Sequence, residues 1–132
     1  MQRINKIQPQ FQTKIDLIVK ILLKNFKKST GIKLKSKQEK NIRGYVADST
    51  RGKAFWDGRF TVPYWALKMG DDYFTYYVAH ELSHQISYII FEGDAGANHK
   101  KEFYSVFKDV CPRQLYFYEL SYKKTARSYG IK

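Results

Sequence analysis

Residues 70–93 read GDDYFTYYVAHELSHQISYIIFEG, and this stretch decides the architecture. Gly70-Asp71-Asp72 opens it with an Asp suited to an N-cap, and Gly93 closes it, so the pattern predicts one long helix running to about Phe91. On a helical wheel Phe74, Val78, Leu82, Ile86 and Ile89 share one arc. His80 and His84 fall on roughly the opposite side. Such a helix packs by one face and presents two histidines from the other.

Upstream, Phe11, Ile15, Ile18, Leu22 and Phe26 recur at three- and four-residue spacing, which predicts an amphipathic helix over about 11–28. Lys14, Lys20, Lys24, Lys27 and Lys28 lie mostly off that stripe, and Ser29-Thr30-Gly31 ends it. From Ile32 to Pro63 the pattern is β-like. Ile32–Lys35 alternates, Arg43–Ala47 is a second run, and Ala54–Trp56 and Arg59–Val62 flank Asp57-Gly58, a two-residue hairpin signal. Pro63 ends the last strand or places it at an edge. Downstream lies a loop from Glu92 to Ala97 with two glycines. A helix is expected from about His99 to Val110, capped by Asn98 and followed by Pro112. The Tyr-rich segment from Arg113 carries no readable period. Nothing divides the chain, so 1–132 reads as a single domain. The expected fold is α+β: an N-terminal helix, a small mainly antiparallel sheet, the histidine-bearing helix, and a second helix that carries His99.

The 132 residues include 24 Lys/Arg against 12 Asp/Glu, a net charge of +12. The charge is uneven: residues 1–60 hold 15 Lys/Arg against 4 Asp/Glu, whereas residues 71–99 hold no Lys or Arg and five acids. An acidic centre is therefore flanked by two basic arms, a distribution that favours nucleic acid as a partner, although solubility alone also accounts for it. One cysteine, Cys111, excludes an intrachain disulfide framework and any cysteine-built zinc site. The apolar run Ile15–Leu23 contains Asp16 and Lys20 and is too short to span a bilayer, and the N-terminus lacks the apolar run of a signal peptide. These features lead us to expect a cytoplasmic protein with no membrane partner.

The chemistry centres on His80-Glu81-Leu82-Ser83-His84, an HExxH motif. Histidines four apart sit one helical turn apart on one face, so both rings can reach one ion. Zinc accepts imidazole nitrogen, and a catalytic zinc site keeps three protein ligands and one open position. Glu81, beside the first ligand, is placed to act as general base on a zinc-activated water. The only other histidine is His99, beyond a loop that can turn the chain back, and it is the preferred third ligand. Among carboxylates, Glu92 lies too far along the helix axis, Asp94 in the loop is the alternative ligand, and Glu102 can serve behind the ligands. For a carbonyl-polarising donor, Tyr104, Tyr116, Tyr118 and Tyr122 are candidates, with packing as the ordinary role of each. Tyr116, Tyr118, Tyr122, Lys123, Lys124, Arg127 and Tyr129 together suit stacking on unpaired bases or, more simply, a docked amphipathic segment. Trp56 and Trp65 read as core or sheet packing. Cys111 reads as a buried small residue with no histidine left to activate it.

The HExxH motif, the glycine-containing loop, His99 and Phe103 four residues on resemble the SprT-like (Spartan-type) metalloproteases. The hairpin and Phe60-Thr61-Val62-Pro63 before the helix are also similar, so the resemblance covers about Ile42 to Val110. It implies a zinc peptidase core with His80, His84 and His99 as ligands and Glu81 as catalytic residue. In the best-known members it implies action on proteins bound or crosslinked to DNA. Two features depart from the pattern: Asn98 stands where many members have Gly, and a single Cys forbids the zinc ribbon that many carry. The competing expectation is a basic nucleic-acid-binding module with a structural or vestigial zinc site.

Overall fold

The computed structural model describes residues 9–91 and 100–132, so Glu92, Asp94, Asn98 and His99 lie outside the described residues. Helix α1 (Pro9–Thr30) extends the expected helix by two residues at each end. Its buried stripe is Ile15, Val19, Leu22 and Phe26, each contributing about 1.5–3 kcal/mol of burial. It stops where Gly31 takes φ +73° and its N–H donates to the Lys27 carbonyl at 2.8 Å.

The expected strand over Ile32–Lys35 does not form. Those residues are irregular and mostly exposed, and a short helix, α2 (Ser36–Asn41), follows them with no buried residue. The alternation of Ile32 and Leu34 with lysines does not bring them into the sheet, and tertiary context overrode it.

Strands β1 (Arg43–Ala47), β2 (Lys53–Ala54) and β3 (Arg59–Pro63) form a three-stranded sheet in the order β1-β3-β2. The Asp57-Gly58 hairpin is present: β2 and β3 pair antiparallel, Lys53 with Thr61 and Ala54 with Phe60. Gly58 takes φ +99°, which the tight turn requires. The sheet is not mainly antiparallel. β1 pairs with β3 in parallel over five positions, from Arg43 opposite Arg59 to Ala47 opposite Pro63. With β2 already on one side of β3, β1 occupies the other side, and the connection through residues 48–58 carries the chain back to the start of β3. The sheet is therefore mixed.

Pro63 closes β3, and a helical turn that the sequence pattern did not suggest, α3 (Tyr64–Lys68), leads into α4 (Asp71–Phe91). α4 begins at Asp71, with the Gly70 carbonyl accepting from the Phe74 N–H at 3.0 Å. Of the expected arc, Phe74, Val78, Leu82 and Ile86 are fully buried, and Ile89, toward the end of the helix, is only partly buried. Ala79, Ser83 and Ser87 are fully buried as well, because α4 is the central element and packs on the sheet, α1, α3 and α5. Gln85 fixes it to the hairpin: its Nε2 donates to the Phe55 carbonyl at 2.9 Å and the Arg59 carbonyl at 2.8 Å.

Helix α5 (Lys101–Val110) buries Phe103, Tyr104, Val106, Phe107 and Val110 against α4 and α1. The segment from Arg113 is docked rather than loose. A 3-10 turn leads into α6 (Tyr116–Tyr122), and a second 3-10 stretch brings Ala126 and Ile131 to zero exposure. No helix among the described residues is long and apolar enough to cross a membrane.

Candidate metal and catalytic centre

His80, Glu81 and His84 line one concavity of about 450 Å³, bounded by α4 and by residues 51–54 at β2. One turn of α4 separates the two imidazoles, whose ring centroids lie 5.2 Å apart. Phe103, in the first turns of α5, packs on both, at 5.0 Å from His80 and 4.4 Å from His84. α5 thus begins beside the histidine pair, and His99 lies two residues before its first residue. Among the described residues, no group of three or more His, Cys, Asp or Glu side chains converges as a metal site, and His99 is not among those residues.

The residue that sequence reasoning missed is Glu119, on α6. Its carboxylate is fully buried and accepts three hydrogen bonds. His80 Nδ1–H donates to Oε1 at 2.7 Å, the Tyr76 hydroxyl to Oε1 at 2.9 Å, and the Tyr104 hydroxyl to Oε2 at 2.6 Å. Burial pushes this carboxyl up, but His80 and the two phenols outweigh it and hold it down at about 2, ionised at all working pH values. In return, Glu119 raises His80 against the opposing effect of burial. With Nδ1 held by the carboxylate, Nε2 is the nitrogen through which His80 would ligate a metal. The carboxylate behind His80 is thus Glu119 and not Glu102, which sits half-buried on α5. One signal was available: Glu119 is the sole acid after Asp109, set between Tyr118 and Leu120 in an apolar run.

Glu81 is 6% exposed. Burial pushes its carboxyl up to about 7, with His80 pulling it down and Glu119 adding to the rise. Its position depends on Gly52, where a Cβ would come within 2.5 Å of the Thr61 carbonyl oxygen, 2.8 Å of the Tyr77 ring and 3.0 Å of Glu81 Oε2. Gly52→Ala should therefore cost about 1–3 kcal/mol, read as a lowered denaturation midpoint, and should also displace Glu81. An unshifted midpoint would show that the loop gives way freely.

The four tyrosines separate by environment. Tyr104 is tied to Glu119, and the Tyr116 hydroxyl donates to the Lys108 carbonyl. Tyr118 packs edge-on against Tyr73 at 5.1 Å. Tyr122 is 61% exposed and is the one of the four that lines a second pocket with His80 and Glu81. Trp56 and Trp65 are not core residues. Trp56 is 67% exposed and stacks on Tyr88, and Trp65 is 40% exposed with its indole N–H donating to the Thr50 carbonyl at 2.8 Å. Both sit beside concavities rather than under the sheet. Cys111 is buried as expected, and burial raises its thiol far above the usual range.

Compared with protein-family models, curated proteins and solved structures, the chain matches none. The resemblance to SprT-like metalloproteases therefore rests on the residues quoted above.

Proposed function

We propose that this chain is a zinc-dependent metallopeptidase of SprT-like type, with zinc held by His80, His84 and His99. The observation that carries the reading is the buried Glu119 carboxylate on His80 Nδ1, at 2.7 Å. A buried carboxylate behind a histidine fixes its tautomer and orientation, the usual support of a metal-ligating imidazole. The paired imidazoles at helical spacing and the start of α5 beside them fit a three-histidine donor set.

When bound, zinc supplies a Lewis acid that makes water nucleophilic at neutral pH and polarises a carbonyl oxygen. The chain's own residues do the rest. Glu81 takes the proton from the attacking water and returns it to the leaving amine. Glu119, with Tyr76 and Tyr104, holds His80 in place. Phe103 packs beneath both imidazoles and keeps that side of the centre dry.

The cations supply the delivery. Lys20, Lys24, Lys27, Lys28, Lys33 and Lys35 are all exposed on or just after α1, and Arg51 and Lys53 border the catalytic concavity. This distribution suits a protease whose protein substrates are bound to nucleic acid. It also favours a second reading, a nucleic-acid-binding module with a structural zinc. Steeply salt-dependent DNA binding without proteolysis of a bound protein would favour that second reading.

Elemental analysis of the purified chain beside His99→Ala tests the donor set. The wild type should hold about one zinc per chain and the variant far less. A wild type without zinc even after reconstitution would overturn the peptidase reading.

A further inference from the structure

A second concavity, of about 370 Å³, opens beside Glu81 between α3, α4 and α6. Its walls are aromatic: Trp65, Tyr73, Tyr76, Tyr77 and Tyr122. The polar tip of each of these rings already takes part in a hydrogen bond. The Trp65 N–H is on the Thr50 carbonyl, and the Tyr76 hydroxyl is on Glu119. The Tyr77 hydroxyl accepts from the Gly52 N–H at 2.8 Å, and the Tyr73 and Tyr122 hydroxyls bond each other at 2.6 Å. The pocket therefore offers a guest mostly ring carbons.

The wall rings already meet one another at tilted and edge-on angles, Trp65 with Tyr73 and with Tyr77 at 5.9 Å and Tyr73 with Tyr76 at 5.6 Å. This is the geometry aromatic groups prefer, and a guest ring can join it. Trp65 and Tyr122, two large exposed aromatic side chains, both line the concavity. Arg51 and Lys123 stand at the rim, both exposed, and neither forms a salt bridge among the described residues. Glu81 and Glu119 line it as well, so neither sign of charge dominates and the aromatic walls set the preference. His80 and Glu81 line the inner side, so a side chain seated here brings its own backbone to the reacting groups.

We propose that this pocket is the recognition subsite for an aromatic side chain of the substrate, next to the bond that is cut. The proposal rests on the peptidase reading for the substrate being a peptide, but the pocket's preference can be measured without hydrolysis. The measurement uses the full chain carrying Trp56→Phe, so that Trp65 is the only tryptophan. The probe is the Trp65 indole signal during titration with N-acetyl-phenylalaninamide, N-acetyl-alaninamide, N-acetyl-lysinamide and adenosine monophosphate. The phenylalanine amide should shift it saturably and bind about tenfold to a hundredfold more tightly than the alanine amide. The lysine amide should bind no better than alanine. Tyr122→Ala, at an exposed position, should weaken the phenylalanine amide about tenfold while the rest of the spectrum stays folded.

Equal binding of the alanine and phenylalanine amides, or no effect of Tyr122→Ala, overturns the subsite. Tighter binding of the nucleotide than of the phenylalanine amide overturns it in favour of a nucleic-acid surface. Selective binding of the phenylalanine amide by a chain that cleaves no peptide would sink the peptidase reading and leave the pocket standing. Cleavage without any preference for aromatic residues would sink the subsite alone.

Discussion

Glu81→Gln in the zinc-loaded chain should lower peptide hydrolysis by about 10²–10⁴-fold or more while leaving zinc content unchanged. The expectation follows from where the carboxyl sits. It lies next in sequence to His80, lines the same concavity as both histidines of α4, and is 6% exposed. In the metal-free chain burial pushes it up to about 7, toward the range that suits a group that takes a proton and gives it back. Glutamine keeps the shape and removes the basicity. It also replaces a group that is costly to ionise where it sits, so folding should suffer little. The pairing of lost rate with retained metal and retained fold is what separates a general base from a structural carboxylate. Wild-type cleavage by the variant would remove Glu81 from the mechanism. Loss of zinc together with activity would mean that Glu81 holds the site together instead.

The parts of this molecule that were legible in the sequence are those set by local periodicity and turn chemistry. α1 and α4 announce themselves through apolar stripes at helical spacing, and the β2–β3 turn through Asp57-Gly58, where glycine alone takes φ +99° without strain. The HExxH spacing is likewise local, so His80, Glu81 and His84 were readable, and the structure brings them to one concavity. What was not legible depends on contacts between distant segments. β1 carries the same five-residue pattern whether it pairs parallel or antiparallel, and only the packing of β2 on the other side of β3 settles the sheet as mixed. Ile32–Lys35 has strand alternation but joins no strand among the described residues. Trp56 and Trp65 look like core residues by type, yet each borders a concavity that no window of sequence contains. Glu119 lies 39 residues from His80, and no spacing rule joins them. The docking of α6 onto α4 brings them together.

That docking makes the C-terminal segment part of the centre, and substitution at Glu119 should expose it. Glu119→Ala leaves His80 Nδ1–H and the hydroxyls of Tyr76 and Tyr104 without their common acceptor, whose carboxylate has no exposure to water. Each orphaned buried donor carries a desolvation cost, and removal of a buried charged partner typically costs about 3–5 kcal/mol. Set against a total stability of about 5–15 kcal/mol, the metal-free variant should melt about 10 °C or more below the wild type. Glu119→Gln divides the effect. The amide keeps an oxygen for His80 and Tyr76, and the Tyr104 hydroxyl can turn to accept from the amide nitrogen, so the fold should hold. The negative charge behind His80 is gone, however, and zinc affinity should fall about 10–100-fold in a chelator competition. Tyr104→Phe removes a single donor, leaves the charge, and should lower affinity much less. A purely structural Glu119 predicts the opposite order, with stability and zinc affinity falling together in Ala and neither falling in Gln. A Glu119→Gln chain that binds zinc as tightly as the wild type would therefore show that the carboxylate stabilises the fold without tuning the metal ligand.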